Sequence, residues 1–272
     1  MFAASEALPL TCRRLYDVFK NASPTLHADY LIARDSELPE CRRPSTITYV
    51  LRFPLCTPSV LAALLDRPSF PRPVQSLSGT DTRTNTGARH YNNNHHRYSN
   101  SDYASGPPKL PRRLFRHLST SGAEALPHLH FLYTSTSPQL TQRPDIDSYD
   151  GYPLARAVSA GAIPLVHFLL DHGASPHWRD TLAVEMAIKR HDLSLVRLLV
   201  EPPDPPPDER RTGKRRKLAD RVILTSRMLK LAVMSNAQDI ADYFVNEKGC
   251  VPDLGTLSLP RYGMFIIPSS ST

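Results

Sequence analysis

Eleven histidines, four cysteines and a single tryptophan are the residues most able to do chemistry in this 272-residue chain. His167, His172 and His177 recur at five-residue steps, about 140° apart around a helix, and Gly173 and Pro176 would break a helix between the last two. His128 and His130 flank Leu129 on opposite sides of any helix, and His95-His96 sit in a polar tract. None of these spacings gathers ligands on one face, so no metal site is expected. Cys12, Cys41, Cys56 and Cys250 form no Cys-x-x-Cys pair. That pattern argues against a zinc site or a disulfide scaffold, and it fits a reducing compartment. Acidic residues are scattered singly, without a pair poised for acid–base work. The nucleophile elbow, the phosphate-binding glycine loops and the His-Glu-x-x-His zinc helix are all missing. The expected protein is not an enzyme and needs no cofactor.

Composition sets the frame that must position anything functional. Net charge is +7, apolar residues make up 40%, and there are 26 prolines against 11 glycines. An apolar share below the usual ~45–50% implies that only part of the chain forms a core. No apolar run approaches a membrane span. The opening residues carry Glu6 within their apolar stretch and lack a basic start, which predicts no secretory leader. An intracellular protein, in the cytoplasm, the nucleus or both, is expected.

Five segments emerge. Residues 1–40 read as an N-terminal helical segment and 41–66 as a small helical unit. Residues 67–109, opening on Arg67-Pro68-Ser69-Phe70-Pro71 and running through Asn92-Asn93-Asn94, read as a disordered insert. Apolar periodicity returns over 110–253, broken by a proline-rich and basic insert at 202–218. Residues 254–272 read as a tail.

The periodic blocks repeat. Leu154, Ala157 and Val158 occupy i, i+3 and i+4 of a short helix that Gly161 would stop, and Leu165-Val166-x-x-Leu169-Leu170 follows as a second helix. About thirty residues on, Val184, Ala187 and Ile188 precede Leu195 to Val200; after the insert, Leu229, Ala232 and Val233 precede Ile240 to Val245. The first-helix stops are Gly161, His191 and Asn236, residue types that enter the left-handed region more readily than most. Leu154, Leu165, Val166, Leu169, Leu170, Val184, Leu195, Leu199, Leu229 and Phe244 are the expected core. Helix pairs this short cannot bury their own apolar face, so the copies must stack.

Block 152–180 resembles an ankyrin repeat: Tyr152-Pro153-Leu154 stands at the family's Thr-Pro-Leu, and Leu165 to Ala174 matches its second helix and turn. Blocks 182–201 and 227–253 resemble it more weakly, without the proline. Tyr49-Val50-Leu51 with Val60 to Asp66, and Leu114-Phe115 with Leu129 to Leu132, resemble degenerate copies, and Asp147 to Gly151 resembles the hairpin that leads into a repeat. The resemblance covers about half the chain. It implies an all-α ankyrin-repeat solenoid of four or five helix pairs, with an N-terminal helical cap and two disordered inserts, whose work is protein–protein recognition. On that reading His177, Trp178, Arg179 and Asp180 form a projecting turn, composed like an interface hot spot. The alternative is that the indole folds back on its neighbouring repeat.

Two further segments invite partners. Leu10, Cys12, Arg13, Leu15 and Phe19 resemble the second half of an F-box, and fungal proteins join such a start to divergent ankyrin repeats. The family's opening Leu-Pro-x-Glu-Ile-Leu helix has no counterpart here. A cap over the first repeat is therefore the leading expectation for Leu10–Arg34, and a substrate-recruiting subunit docking a ubiquitin-ligase adaptor is the alternative. Lys214-Arg215-Arg216-Lys217, with Arg210 and Arg211 upstream, has the composition of an importin-binding signal. No aromatic residues interleave with these cations, which weighs against nucleic acid. Membranes are not expected partners.

Overall fold

The computed structural model describes residues 17, 19–37, 45–68, 70, 107–135, 137, 140, 142–201 and 220–259. Those residues are mostly helical, and no strand occurs among them. The chain divides into two compact units, Met1–Pro111 with His128–Asp145, and Arg112–Pro127 with Ile146–Thr272.

In the first unit, α1 (Pro24–Ser36), α2 (Thr46–Val50) and α3 (Pro58–Leu65) each begin at a hydroxyl cap. Ser23, Ser45 and Thr57 accept the backbone N–H groups of Leu26, Thr48 and Val60 at 3.3 Å. Such a cap satisfies an amide that the first helical turn leaves open, and proline at the first position of α1 and α3 loses no bond there. Helix α1 packs on α2 and α3. Their apolar faces bury Leu31, Val50, Leu51, Leu61 and Leu64. Leu129, Leu132 and Tyr133 of α4 (Leu126–Thr134) are buried as well.

The first insert is narrower than its composition implies. Phe70, assigned to it by its proline-rich setting, is only 2% exposed, and Arg67 pairs with Asp29 at 2.9 Å. At the far end the Lys109 N–H donates to the Thr48 hydroxyl at 2.7 Å and Leu110 is buried. A phenylalanine beside prolines still gains by burial when a packed face lies within reach.

The second unit opens with a 3-10 turn at Arg112–Phe115. Here the sequence expectation of a helix pair from Leu114-Phe115 and Leu129 to Leu132 fails: the first half is one tight turn, and the two halves fall in different units. Two buried residues at 114 and 115 leave too little apolar length for a helix. Three pairs follow: α5 (Ser148–Ala160) with α6 (Ile163–Asp171), α7 (Trp178–Lys189) with α8 (Leu193–Val200), and α9 (Ser226–Met234) with α10 (Gln238–Asp242). A π turn over Tyr243–Glu247 extends α10. Helix α7 packs against both α5 and α9, and each second helix packs on its own first helix. All ten expected core residues are buried.

Each first helix ends in the same way. Gly161, His191 and Asn236 take left-handed φ values of 71°, 57° and 59°. Their N–H groups donate to Val158, Ile188 and Val233, three residues back, at 2.9, 2.9 and 3.1 Å. The next amides, of Ala162, Asp192 and Ala237, donate five residues back to Ala157, Ala187 and Ala232. This is a Schellman-type closure, which uses up the last free carbonyls and turns the chain towards the second helix. The residues expected to stop the helices do so, although only one of them is glycine.

The second insert starts and returns at one place. The Arg221 N–H donates to the Val200 carbonyl at 2.7 Å. Lys248 Nζ lies 2.8 Å from Asp220 and 3.9 Å from Glu201. The Tyr243 hydroxyl donates to Glu201 at 3.0 Å, and Arg197 pairs with Glu201 and Glu247 while its guanidinium lies over the Tyr243 ring. Burial and the bond to Glu201 raise the Tyr243 pKa above that of an ordinary phenol. The tail expected from residue 254 is also shorter: Leu254–Leu257 forms α11, capped by Asp253 and packed on α9. The Thr256 N–H and hydroxyl donate to the Asp253 carboxylate and hold its pKa below the usual range.

Two outcomes are expected. Leu169→Asp, which puts a carboxylate at a fully buried site, should cost about 3–5 kcal/mol. It should melt the three pairs together, as read by circular dichroism against temperature; an unchanged melt would remove the stacked core. Replacing residues 202–219 by a short Gly/Ser linker should change stability by less than about 1 kcal/mol, because loop length enters only logarithmically once the ends are joined. Urea titration measures it.

Candidate functional site

The turns entering α5 and α7 carry the backbone's most unusual feature. Tyr149, Asp150 and Gly151 have φ values of 57°, 60° and 72°, and Arg179, Asp180 and Thr181 have 52°, 53° and 65°. Each trio is one left-handed turn at the head of a right-handed helix. The Gly151 N–H donates to the Asp147 carbonyl and the Thr181 N–H to the His177 carbonyl, the same four-residue step in both. Left-handed backbone costs L-residues roughly 1–2 kcal/mol each, and a β-branched threonine is among the rarest to adopt it. Such strain persists only where the surroundings over-determine it, and it gathers at functional segments.

The two turns hold each other. The Asp147 carboxylate accepts the Ser175 N–H at 3.0 and 3.3 Å. Arg179 lies 3.6 Å from Asp150, in a half-exposed pair of small energetic worth. Trp178 covers Gly151: a Cβ at residue 151 would come within 2.7 Å of the tryptophan Cβ and 3.1 Å of the indole ring. Glycine is required there twice over, for its φ and for the close approach of Trp178. On the other side of the first turn, the Arg112 guanidinium lies 4.7 Å from the Tyr149 ring centre and 5.3 Å from that of Tyr152. Cations over aromatic faces hold such geometry with about 0.5–1 kcal/mol at exposed sites.

The row therefore runs Arg112, Tyr149, Asp150, Trp178, Arg179, Asp180. Of the four residues singled out by sequence, His177, Trp178, Arg179 and Asp180 are all exposed at this edge. Trp178 divides between the two expectations, with one side of the indole on Gly151 and 38% of the residue open to solvent. Arg112, Tyr149 and Tyr152 were not among the site residues expected from the sequence. The thirty-residue register that aligns Tyr149-Asp150-Gly151 with Arg179-Asp180-Thr181 was the available signal. The third pair does not continue the row, because Thr225 before α9 is extended, with φ −117°.

Leu10, Cys12, Arg13 and Leu15 of the F-box-like stretch lie outside the described residues, as do Lys214, Arg215, Arg216 and Lys217. Phe19 is described, and its ring meets His27 and Tyr30 edge-on at 5.2 and 5.0 Å. Among the described residues no cluster of histidine, cysteine and acidic side chains could hold a metal ion, and no helix is long and apolar enough to cross a membrane. Comparison with known protein families, curated proteins and solved structures found no match.

Gly151→Ala should lower stability by about 1–3 kcal/mol, from strain at φ 72° together with the collision with Trp178. Gly173→Ala is the control, since a Cβ there meets nothing within 4 Å. Urea denaturation of both variants should show the larger loss at residue 151.

Proposed function

We propose that this chain is a protein–protein recognition module, a stack of divergent ankyrin-type helix pairs that presents a row of turns to another protein and carries out no reaction itself. One observation carries the reading. Two turns thirty residues apart in register adopt the same strained left-handed path and are locked together by Asp147, Trp178 and the Asp150–Arg179 pair. Repeat stacks give each pair one projecting turn, and partners are read by the few side chains at those tips.

The composition of the row supports recognition. Tryptophan, tyrosine and arginine dominate hot spots because they combine large apolar area with directed polar groups. Here a half-open indole, two tyrosine rings and two guanidinium groups share one edge. Because the turns are fixed before any partner arrives, binding loses little conformational freedom in ordering them. Charges of both signs alternate along the row, which favours a folded protein surface over a polyanion.

Affinity purification with the intact chain, followed by mass spectrometry, identifies what binds. The triple variant Trp178→Ala, Arg179→Ala, Asp180→Ala should lose that partner by about 30-fold or more, the effect of roughly 2 kcal/mol at a hot spot. Its helical circular dichroism should persist. Undiminished binding by the folded triple variant would refute recognition through this row.

A further inference from the structure

By count, residues 151–200 are nearly neutral, with five basic and four acidic side chains. The fold sorts them by place. Three guanidinium groups from three different elements gather along α5. Arg112, in the turn ahead of it, lies 5.3 Å from the Tyr152 ring centre. Arg156, one helical turn further on, donates through Nε to the Phe115 carbonyl at 3.2 Å and through Nη2 to that of Arg116 at 2.8 Å. Arg190, just past the end of α7, donates through Nη1 to the Ser159 carbonyl at 3.0 Å. Tyr152, Arg156 and Ser159 stand at i, i+4 and i+7 of one helix face, a run of about 10 Å. Arg116 and Lys189 flank this strip, and both are exposed.

None of these five cations has a carboxylate partner among the described residues. Acidic side chains close to them in the chain are engaged elsewhere. Asp150 faces Arg179 at 3.6 Å, and Glu185 pairs with Arg227 at 3.0 Å. Glu124 accepts the Ser119 N–H and hydroxyl at 3.1 and 3.0 Å, and Asp192 accepts the Leu195 N–H at 3.0 Å. The other exposed arginines of the unit differ, since Arg179 and Arg227 each meet a carboxylate. Along α5, then, positive charge stands uncompensated, and its guanidinium groups are already fixed by rings and carbonyls. Arg156 keeps its second terminal nitrogen without an acceptor among the described residues. Guanidinium forks held in this way match carboxylates two bonds at a time, and binding loses little freedom in ordering them.

We propose that this strip docks an acidic segment of another protein, a short run of aspartate and glutamate side chains laid along α5. Three or four residues of extended chain span its length of about 10 Å. A nucleic-acid strand fits less well, because its charge would continue onto Asp150 and Asp180 at the hairpin end. The proposal rests on the reading of the chain as a recognition module, but it uses the face of α5 and shares only Arg112 with the turn row.

The test titrates the full chain against a fluorescein-labelled peptide of alternating aspartate and glutamate, read by fluorescence anisotropy at about 50 mM salt, where surface charges are weakly screened. Saturable binding is expected, and the matching asparagine–glutamine peptide should not bind. Arg156→Gln with Arg190→Gln should weaken binding by at least about tenfold. Arg116→Gln with Lys189→Gln, which removes no bond of the fold, should weaken it by at least about threefold. Arg52→Gln with Arg143→Gln, exposed positions in the first unit, removes the same charge and should leave binding unchanged. The triple variant Trp178→Ala, Arg179→Ala, Asp180→Ala should also bind the peptide as the parent does, which separates failure of this strip from failure of the turn row. No saturable binding, equal loss in the Arg52/Arg143 control, no loss in the Arg116/Lys189 variant, loss in the triple variant, or tighter binding of a DNA duplex through the same residues would each overturn the proposal.

Discussion

Leu154, Ala157, Val158, Val184, Ala187, Ile188, Leu229 and Val233 of the three first helices are all buried, and the order of the second unit follows from these helices packing on one another. A pair of helices of about ten residues has one mutual face and two that need neighbours. Helix α7 meets the need on both sides, packing on α5 and on α9. Burying a leucine is worth roughly 1.5–3 kcal/mol, so a pair deprived of its neighbour loses most of what holds it. Stability in such an arrangement belongs to the interfaces between pairs.

Stacking works only if every pair presents its faces at the same angle, and the helix stops provide this. Gly161, His191 and Asn236 turn the chain identically through the same two backbone bonds. An arginine adds to the first stop from outside it: Arg190 occupies the space beside Gly161, its guanidinium nitrogen where a Cβ would lie, and donates to the Ser159 carbonyl at 3.0 Å. Arg156 does likewise for the Phe115 and Arg116 carbonyls at 3.2 and 2.8 Å. Carbonyls left free at the end of one turn or helix are thus satisfied from the next element along the stack.

Once the stack is regular, its edges can carry strain. Six residues in left-handed backbone at the heads of α5 and α7 would unwind in an isolated peptide. Two stacked helices hold them from below, while the Asp147–Ser175 bonds and Trp178 hold them from the side. The same regularity explains how a long insertion is borne. Val200 and Arg221 are joined by a backbone bond and clasped by Lys248, so the third pair resumes the register of the first two.

The periodicity of leucine, valine and alanine settled the helical character, the three pairs and the buried residues, because burial on one face of a helix leaves its mark at i, i+3 and i+4. The helix stops were legible for a related reason: few residue types tolerate left-handed backbone, and glycine, histidine and asparagine stood at equivalent places. Tertiary structure alone decided the rest. Phe70 entered a core from a proline-rich stretch, Leu114-Phe115 made a 3-10 turn, and α11 formed where a tail was expected. It also set Trp178 on Gly151 and Arg112 over two tyrosines. These contacts join residues 27 to 40 positions apart, and no local pattern records them; they exist because neighbouring pairs, once stacked for the sake of their leucines, bring whatever lies on their turns side by side.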